Sequence, residues 1–169
     1  VNFDRLNGIV GIFGKNFSGK SSIIDAALYT LFNTTSKNER KNLNVINQNK
    51  DSGRGRLTIE ANNATYTIDR ESVKYVKRLK GVETQEAKTD LNFEMRDHIT
   101  DDVISLNGTT RNETDANIRK HFGTIDDFMV SSLASQHGAL SFIDEGSTRR
   151  KEIIAKFLDL EVFEKKFRM

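Results

Sequence analysis

The chain has 169 residues, with 26 Lys and Arg against 24 Asp and Glu, and no Cys, Pro or Trp. No cysteine means no disulfide framework and no thiolate zinc site, and no apolar run approaches the roughly 18 residues of a membrane span. A net charge of +2 is too small to argue for a nucleic-acid partner by itself, while 36% hydrophobic and 8% aromatic residues fit one folded domain with a core of its own. The N-terminus, Val1-Asn2-Phe3-Asp4, lacks the pattern of a signal peptide. A reducing, ATP-containing cytoplasm is the expected setting. A start at Val1 is that expected of a fragment.

In chain order, Gly8-Ile9-Val10-Gly11-Ile12-Phe13 reads as a short buried strand. A turn follows, and from Gly19 to Phe32 the period changes: Ile23, Ile24, Ala27, Leu28 and Leu31 share one helical face. Residues 33–53 are polar and read as a surface loop with a short helical piece around Leu43 to Ile46. Residues 54–95 read as strands. Asn62-Asn63 makes a two-residue turn that sets Ile59 opposite Tyr66, Leu57 opposite Ile68 and Arg56 opposite Asp69. In the next stretch Val73, Tyr75 and Leu79 share one face, and Lys74, Arg78 and Lys80 the other. Ala87, Thr89, Leu91, Phe93 and Met95 alternate in a further strand. Asn107-Gly108 is a hairpin signal. Two helices follow, the first capped by Thr114 and stopped by Gly123, the second capped by Thr124 with Asp126 and Asp127 in its first turn. Residues 135–146 read as irregular. Ser147 caps a last helix carrying Ile153, Ile154, Phe157, Leu158, Phe163 and Phe167, with a break at Asp159-Leu160-Glu161.

Gly14-Lys15-Asn16-Phe17-Ser18-Gly19-Lys20-Ser21 matches the phosphate-loop pattern G-x-x-x-x-G-K-[ST] in full. Its expected context, a strand before and a helix after, is the reading just made. A glycine-bearing loop lets successive backbone N–H groups face the phosphates, and the helix N-terminus adds its positive end. Lys20 would reach the β- and γ-phosphates, and the Ser21 hydroxyl, with Ser22 behind it, would ligate Mg²⁺.

Gly14-x-Asn16-x-Ser18-Gly19-Lys20-Ser21-Ser22 followed by Ile23-Ile24-Asp25-Ala26 resembles the SMC-like ATPases. Within them it is similar to the SbcC-type double-strand-break-repair ATPases and the ATPase subunit of phage recombination endonucleases. A second block agrees. Asp127-Phe128-Met129, Ser135-Gln136-His137-Gly138, Phe142-Ile143 and Ser147-x-Arg149-Arg150-Lys151-Glu152-Ile153-Ile154 resemble that family's Q-loop and the start of its coiled coil. Gln136 alone reads as a solvated polar residue; the resemblance makes it the glutamine that contacts Mg²⁺ or the attacking water. His137, beside it, reads as a loop histidine, with contact to the nucleotide site as the lesser alternative.

The resemblance implies an α/β P-loop NTPase of the ABC/SMC-head type. This would be the N-terminal lobe, with a substantial antiparallel β portion and the start of a coiled-coil helix. Residues 1–33 would form the strand-loop-helix, 54–110 the β-rich part, 112–146 the helices and Q-loop, and 147–169 the helix leading towards the coiled coil. It implies ATP and Mg²⁺ as cofactors, a second head joined on ATP binding as a homodimer, duplex DNA, and a nuclease subunit of the SbcD type. The 169 residues contain neither an apolar run ending Asp-Glu nor a Ser-Gly-Gly signature loop. In the family both lie in a C-terminal lobe beyond a long coiled coil, so the chain reads as half a head, inactive alone. Phe17 departs from the family's usual small residue and would be strained if that position needs a positive φ.

Lys74, Lys77, Arg78 and Lys80 form the densest basic patch. It reads as a solvated strand face, or, through the resemblance, as a duplex-DNA contact through phosphates. Arg149, Arg150 and Lys151 open a helix where its dipole disfavours cations, a hint of an outside anion or partner. His98, His121 and His137 are scattered, so no zinc site is expected. Two other functions fit the loop. A chromosome-organising SMC clamp would bind DNA without a nuclease partner. A small P-loop kinase would need an acceptor pocket, and the β-rich stretch suits it poorly.

Overall fold

The computed structural model describes residues 1–35, 42–79, 81–131 and 146–157. The chain divides into two compact units, residues 1–122 and 123–169. The first holds helix α1 (Lys20–Phe32), helix α2 (Asn42–Val45), strands β1 (Ser52–Ala61), β2 (Ala64–Leu79), β3 (Val82–Asp97) and β4 (Val103–Ser105), and helix α3 (Arg111–Phe122). The second holds α4 (Ile125–Ser131) and α5 (Ser147–Phe157). Among the described residues no helix is long and apolar enough to cross a membrane.

The sheet runs in chain order, β1-β2-β3-β4, and every neighbouring pair is antiparallel. Its first hairpin has the expected register: Ile59 faces Tyr66, Leu57 faces Ile68 and Arg56 faces Asp69. Asn62 and Asn63 sit at φ 53° and 58°, the left-handed pair that matches the twist of a two-residue hairpin and that Asn tolerates. The two stretches read as separate strands after that turn are one. β2 pairs with β3 without interruption from Ala64–Asp97 to Leu79–Val82. β1 ends its pairing at Val73 and β4 pairs only with Glu94, Met95 and Arg96. Beyond Val73 the hairpin therefore runs on as a two-stranded ribbon.

Alternation gives the sheet two unlike faces. On β2 the even positions Ala64, Ile68, Arg70 and Ser72 are buried, and on β3 the odd positions Thr89 and Phe93. These face α1 and α3. Leu31, Ile68, Phe93 and Ile118 form the core, with Leu57, Tyr66, Leu91 and Phe122 packed around it. Tyr66 meets the edge of Phe122 at 5.5 Å between ring centroids, and His121 stands edge-on to Phe93 at 5.4 Å. Arg54, Arg56, Thr58 and Glu60 line the opposite, exposed face.

Four local expectations need correction. Residues 8–13 form no strand. Ile9, Phe13 and Ile12 are exposed, because no edge among the described residues is offered to them. Asn107-Gly108 is not a hairpin turn. The Asn107 side chain instead extends the ladder, accepting from Phe93 N–H at 2.8 Å and donating to Asn92 at 2.6 Å. Gly108 lies where a Cβ would overlap Glu113, so its role is close approach. Thr114 lies inside α3 and is buried. The cap is Thr110, whose hydroxyl accepts from Glu113 N–H at 3.3 Å, while Glu113 accepts from Thr109 N–H and O–H at 2.7 and 2.6 Å. Finally, Ser147 is the first residue of α5, with Gly146 O accepting from Arg150 N–H at 3.0 Å.

Gly123 does sit beyond α3 at φ 77°. Thr124 caps α4 reciprocally, accepting from Asp127 N–H at 3.3 Å while Asp127 accepts from Thr124 N–H at 2.7 Å. Of the irregular stretch expected at 135–146, all but Gly146 lies outside the described residues, as does the break at Asp159-Leu160-Glu161.

Candidate nucleotide site

The phosphate loop is built from three backbone constraints. Ser18 N–H donates to Lys15 O at 3.2 Å, closing a turn whose third residue is Phe17 at φ 63°. That position favours glycine or asparagine. Phe17 therefore carries the strain expected of it, on the order of 1–2 kcal/mol, and its ring stands fully in solvent. Gly14 lies close to Ser18, where a Cβ would stand 2.6 Å from Ser18 Oγ and turn that hydroxyl aside. Gly19 caps α1 at φ 85°, and no side chain caps the helix and no acid stands in its first turn. The N–H groups and positive end of α1 are thus left to the loop.

Lys20 arches back over this bend. Its Nζ donates to Gly14 O at 2.8 Å and to Lys15 O at 2.7 Å, spending two of its three donors on the loop's own carbonyls. Ser21 and Ser22 are exposed at the start of α1, and Asn16 lies in the exposed turn. The residues fit a polyphosphate. The bend is open where a Cβ would fill it, its charges are positive, and the ammonium stands within reach. For a divalent cation the loop offers the Ser21 hydroxyl. Gln136 and His137 lie outside the described residues. Among the described residues no group of three or more His, Asp or Glu gathers to hold a metal.

Helix α1 meets the sheet through its C-terminal half, where Leu28, Tyr29, Thr30 and Leu31 are buried. Gly55 on β1 makes room, because a Cβ there would overlap Thr30 Oγ1. Much of the seam is polar. Tyr29 Oη bonds Ser72 Oγ at 2.7 Å, and Ser72 Oγ bonds Thr89 Oγ1 at 2.6 Å. Burial pushes the Tyr29 phenol above its ordinary pKa. Arg70, with no exposed surface, donates to Thr30 O at 3.0 Å, to Leu31 O at 3.4 Å and to Asp115 Oδ1 at 2.6 Å. No motif in the sequence singles out Arg70. Its signal is a charge at an inward position, two residues past Ile68 on the face that carries the core. Beside this helix a cleft of about 470 Å³ is lined by Ser22, Asp25, Tyr29, Asn44 and Arg54.

The basic patch is divided. Lys74 continues the inward face and donates to Asn47 O at 3.0 Å and Gln48 O at 3.2 Å, tacking the segment after α2 to the sheet beside buried Ile46. Lys77 lies on the opposite face, paired with Glu86 at 3.1 Å. Arg78 bonds Glu83 across the ribbon. The Tyr75 hydroxyl and Lys77 ammonium hold the Glu86 carboxyl below its ordinary pKa. Lys80 lies outside the described residues, as does the side chain of Arg149. His98 Nε2 bonds Thr65 Oγ1 at 2.6 Å and His121 Nδ1 bonds Asn117 O at 2.8 Å.

The family model described as an AAA domain matches residues 1–168. Among similar proteins, the DNA double-strand break repair Rad50 ATPase of Methanococcus maripaludis is 29% identical over 98% of this chain and 14% of its own length. The SbcC component of the SbcCD nuclease of Bacillus subtilis is 26% identical over 96% of this chain and 14% of its own. An uncharacterized protein of Acanthamoeba polyphaga mimivirus is 29% identical over 96% of this chain and 12% of its own. The chain thus spans 12% to 14% of the length of these relatives. Loop geometry, an antiparallel sheet with helices on one face, and these likenesses agree: the chain belongs to the AAA-domain family, among the SMC-like ATPases of the Rad50 and SbcC kind.

Proposed function

We propose that the chain is the ATP-binding lobe of a DNA double-strand-break repair and recombination ATPase. The observation that carries this reading is the loop itself. Its glycine-dependent bend, uncapped helix end and overarching Lys20 form a positive, open cradle. Backbone N–H groups of the loop other than that of Ser18, which closes the turn on Lys15 O, and the Lys20 ammonium would bind the phosphates and stabilise charge on the transferring phosphoryl group. Ser21 would hold Mg²⁺, with Gln136 as its second protein contact and the orienter of the attacking water. Magnesium-bound ATP supplies the group whose transfer to water releases the free energy. Lys20 must leave the carbonyls of Gly14 and Lys15 to reach a γ-phosphate, so nucleotide binding and loop rearrangement are one event.

The remaining parts belong to the same proposal. A C-terminal lobe would bring the Asp-Glu acids and the signature loop. The exposed apolar side chains of Ile9, Ile12 and Phe13 support it, since a strand from elsewhere in the protein would cover them. ATP would then join two such heads, α5 would lead into a coiled coil, and the joined heads would hold duplex DNA and regulate a nuclease subunit in the cytoplasm. For DNA, Arg78 and Lys77 on the ribbon, together with Lys74 and Lys80, would make contacts that read phosphate rather than sequence once the present partners of Arg78, Lys77 and Lys74 are released. Nucleotide shifts the heads only by its extra affinity for the joined state.

The test is ATP binding by the complete protein and its Lys20→Ala variant. Loss of the ammonium is expected to weaken binding about 100-fold, near 3 kcal/mol, at an unchanged melting temperature. Equal affinity in the two proteins refutes the assignment.

A further inference from the structure

Helix α1 is anchored at one end. Its buried residues are Leu28, Tyr29, Thr30 and Leu31, all in its last turn and a half, while Ser21, Ser22, Ile24 and Ala26 are exposed. The phosphate loop therefore rides on the free end of a lever. From Lys20 to Thr30 the lever is about 15 Å long, so a tilt of about 5° at the anchor moves the loop by about 1.3 Å. Displacements of that size at a reacting group cost about 100-fold in rate.

Arg70 is the charged group at the anchor. Its guanidinium is wholly buried and gathers three acceptors, two from the end of α1 and one from α3. Helix α1 has no basic residue in its own last turn, so Arg70 supplies from the sheet the cation its negative end favours. Nη1 is buried without a partner. A Met or Leu would fill the site with no unsatisfied donor and no charge to bury. What an apolar residue lacks is direction. A planar fork fixed on two α1 carbonyls and one α3 carboxylate sets the rotation of α1 and ties it to α3.

We infer that Arg70 is a positioning residue for the phosphate loop, joining α1 to α3 through Asp115 so that occupancy of the loop is felt in α3. This rests on the loop's being the ATP site.

The experiment uses the complete protein and reads amide exchange, melting temperature and ATP affinity. In the parent, magnesium-bound ATP is expected to slow exchange in residues 14–22 and in α3. The Arg70→Met/Asp115→Leu double variant replaces the ion pair by apolar groups and is expected to melt within a few degrees of the parent. It should bind ATP at least tenfold more weakly, still slow exchange in the loop at saturation, and no longer slow it in α3. Parental affinity together with a retained α3 response overturns the inference. If the double variant does not fold, Asp115→Asn keeps the acceptor and removes the charge. At least a halved α3 response supports the inference, and an unchanged one overturns it. An α3 that ignores ATP beside a responsive loop in the parent overturns this inference alone. A loop that ignores ATP overturns the nucleotide assignment and this inference with it.

Discussion

The sheet and the first nineteen residues are both rich in apolar side chains, yet they end in opposite states. Ile68 and Phe93 are wholly buried, whereas Ile9, Phe13 and Phe17 are essentially bare. Apolar sequence is not the difference. β1, β2 and β3 create edges for one another through tight turns, so each strand finds its partner next along the chain. Residues 8–13 follow no such turn, and no strand among the described residues pairs with them. The body of the unit is covered by its own strands and helices, while the end that carries residues 8–19 is left bare.

Mutations can break that comparison. The largest effect is expected at Phe93→Ala, which empties the core and should cost about 3–5 kcal/mol in urea unfolding. Ile9→Ala in residues 1–169 taken alone, where that position is uncovered, should stay within about 0.5 kcal/mol. Comparable losses at the two would mean that residues 8–13 are packed after all. Next comes Gly55→Ala. Its Cβ has to displace Thr30, so α1 must shift off the sheet at a cost of about 1–3 kcal/mol. A neutral outcome in thermal melting would show that α1 is not seated on β1.

The smallest effect is electrostatic. The Thr109 hydroxyl and N–H hold the Glu113 carboxyl below its ordinary 4.5. Its folded-state pKa is therefore the lower one. The stabilisation is complete above pH 4.5 and is lost as pH falls through the folded value. Glu113→Gln should lower the melting temperature at pH 7 and leave it nearly unchanged at strongly acid pH. An equal loss at both would sink the capping role.

What the sequence made legible was local. The register around Asn62-Asn63 could be read because three cross-strand pairs agreed on it. α1 could be read from its period and α4 from Thr124 with Asp127. Phe17's strain could be anticipated because a known loop pattern places a small residue there. What stayed hidden depended on distant neighbours. Asn107-Gly108 has the chemistry of a turn, and only the nearness of Phe93 and Glu113 turns it to other uses. Thr110 and Thr114 are equally good caps on paper, but Thr114 faces inward. Alternation already separates Lys77 from Lys74 and Arg78, but the partners that occupy them, Glu86, Glu83 and the carbonyls of Asn47 and Gln48, come from other segments. Alternation puts Arg70 on the inward face with Ile68, but only α1 and α3 closing over it show what its guanidinium holds.

The chain-order meander also dictates a timetable. Each strand joins its immediate predecessor, so loop closure is short and assembly fast. With no proline in the chain, no slow imide isomerisation delays refolding. On a ribosome the sheet is complete soon after Ser105 has emerged, whereas the helix behind the phosphate loop, though synthesised earlier, must wait for Asp115 before its berth is finished. A helix made before the sheet is thus among the last elements to be set in place.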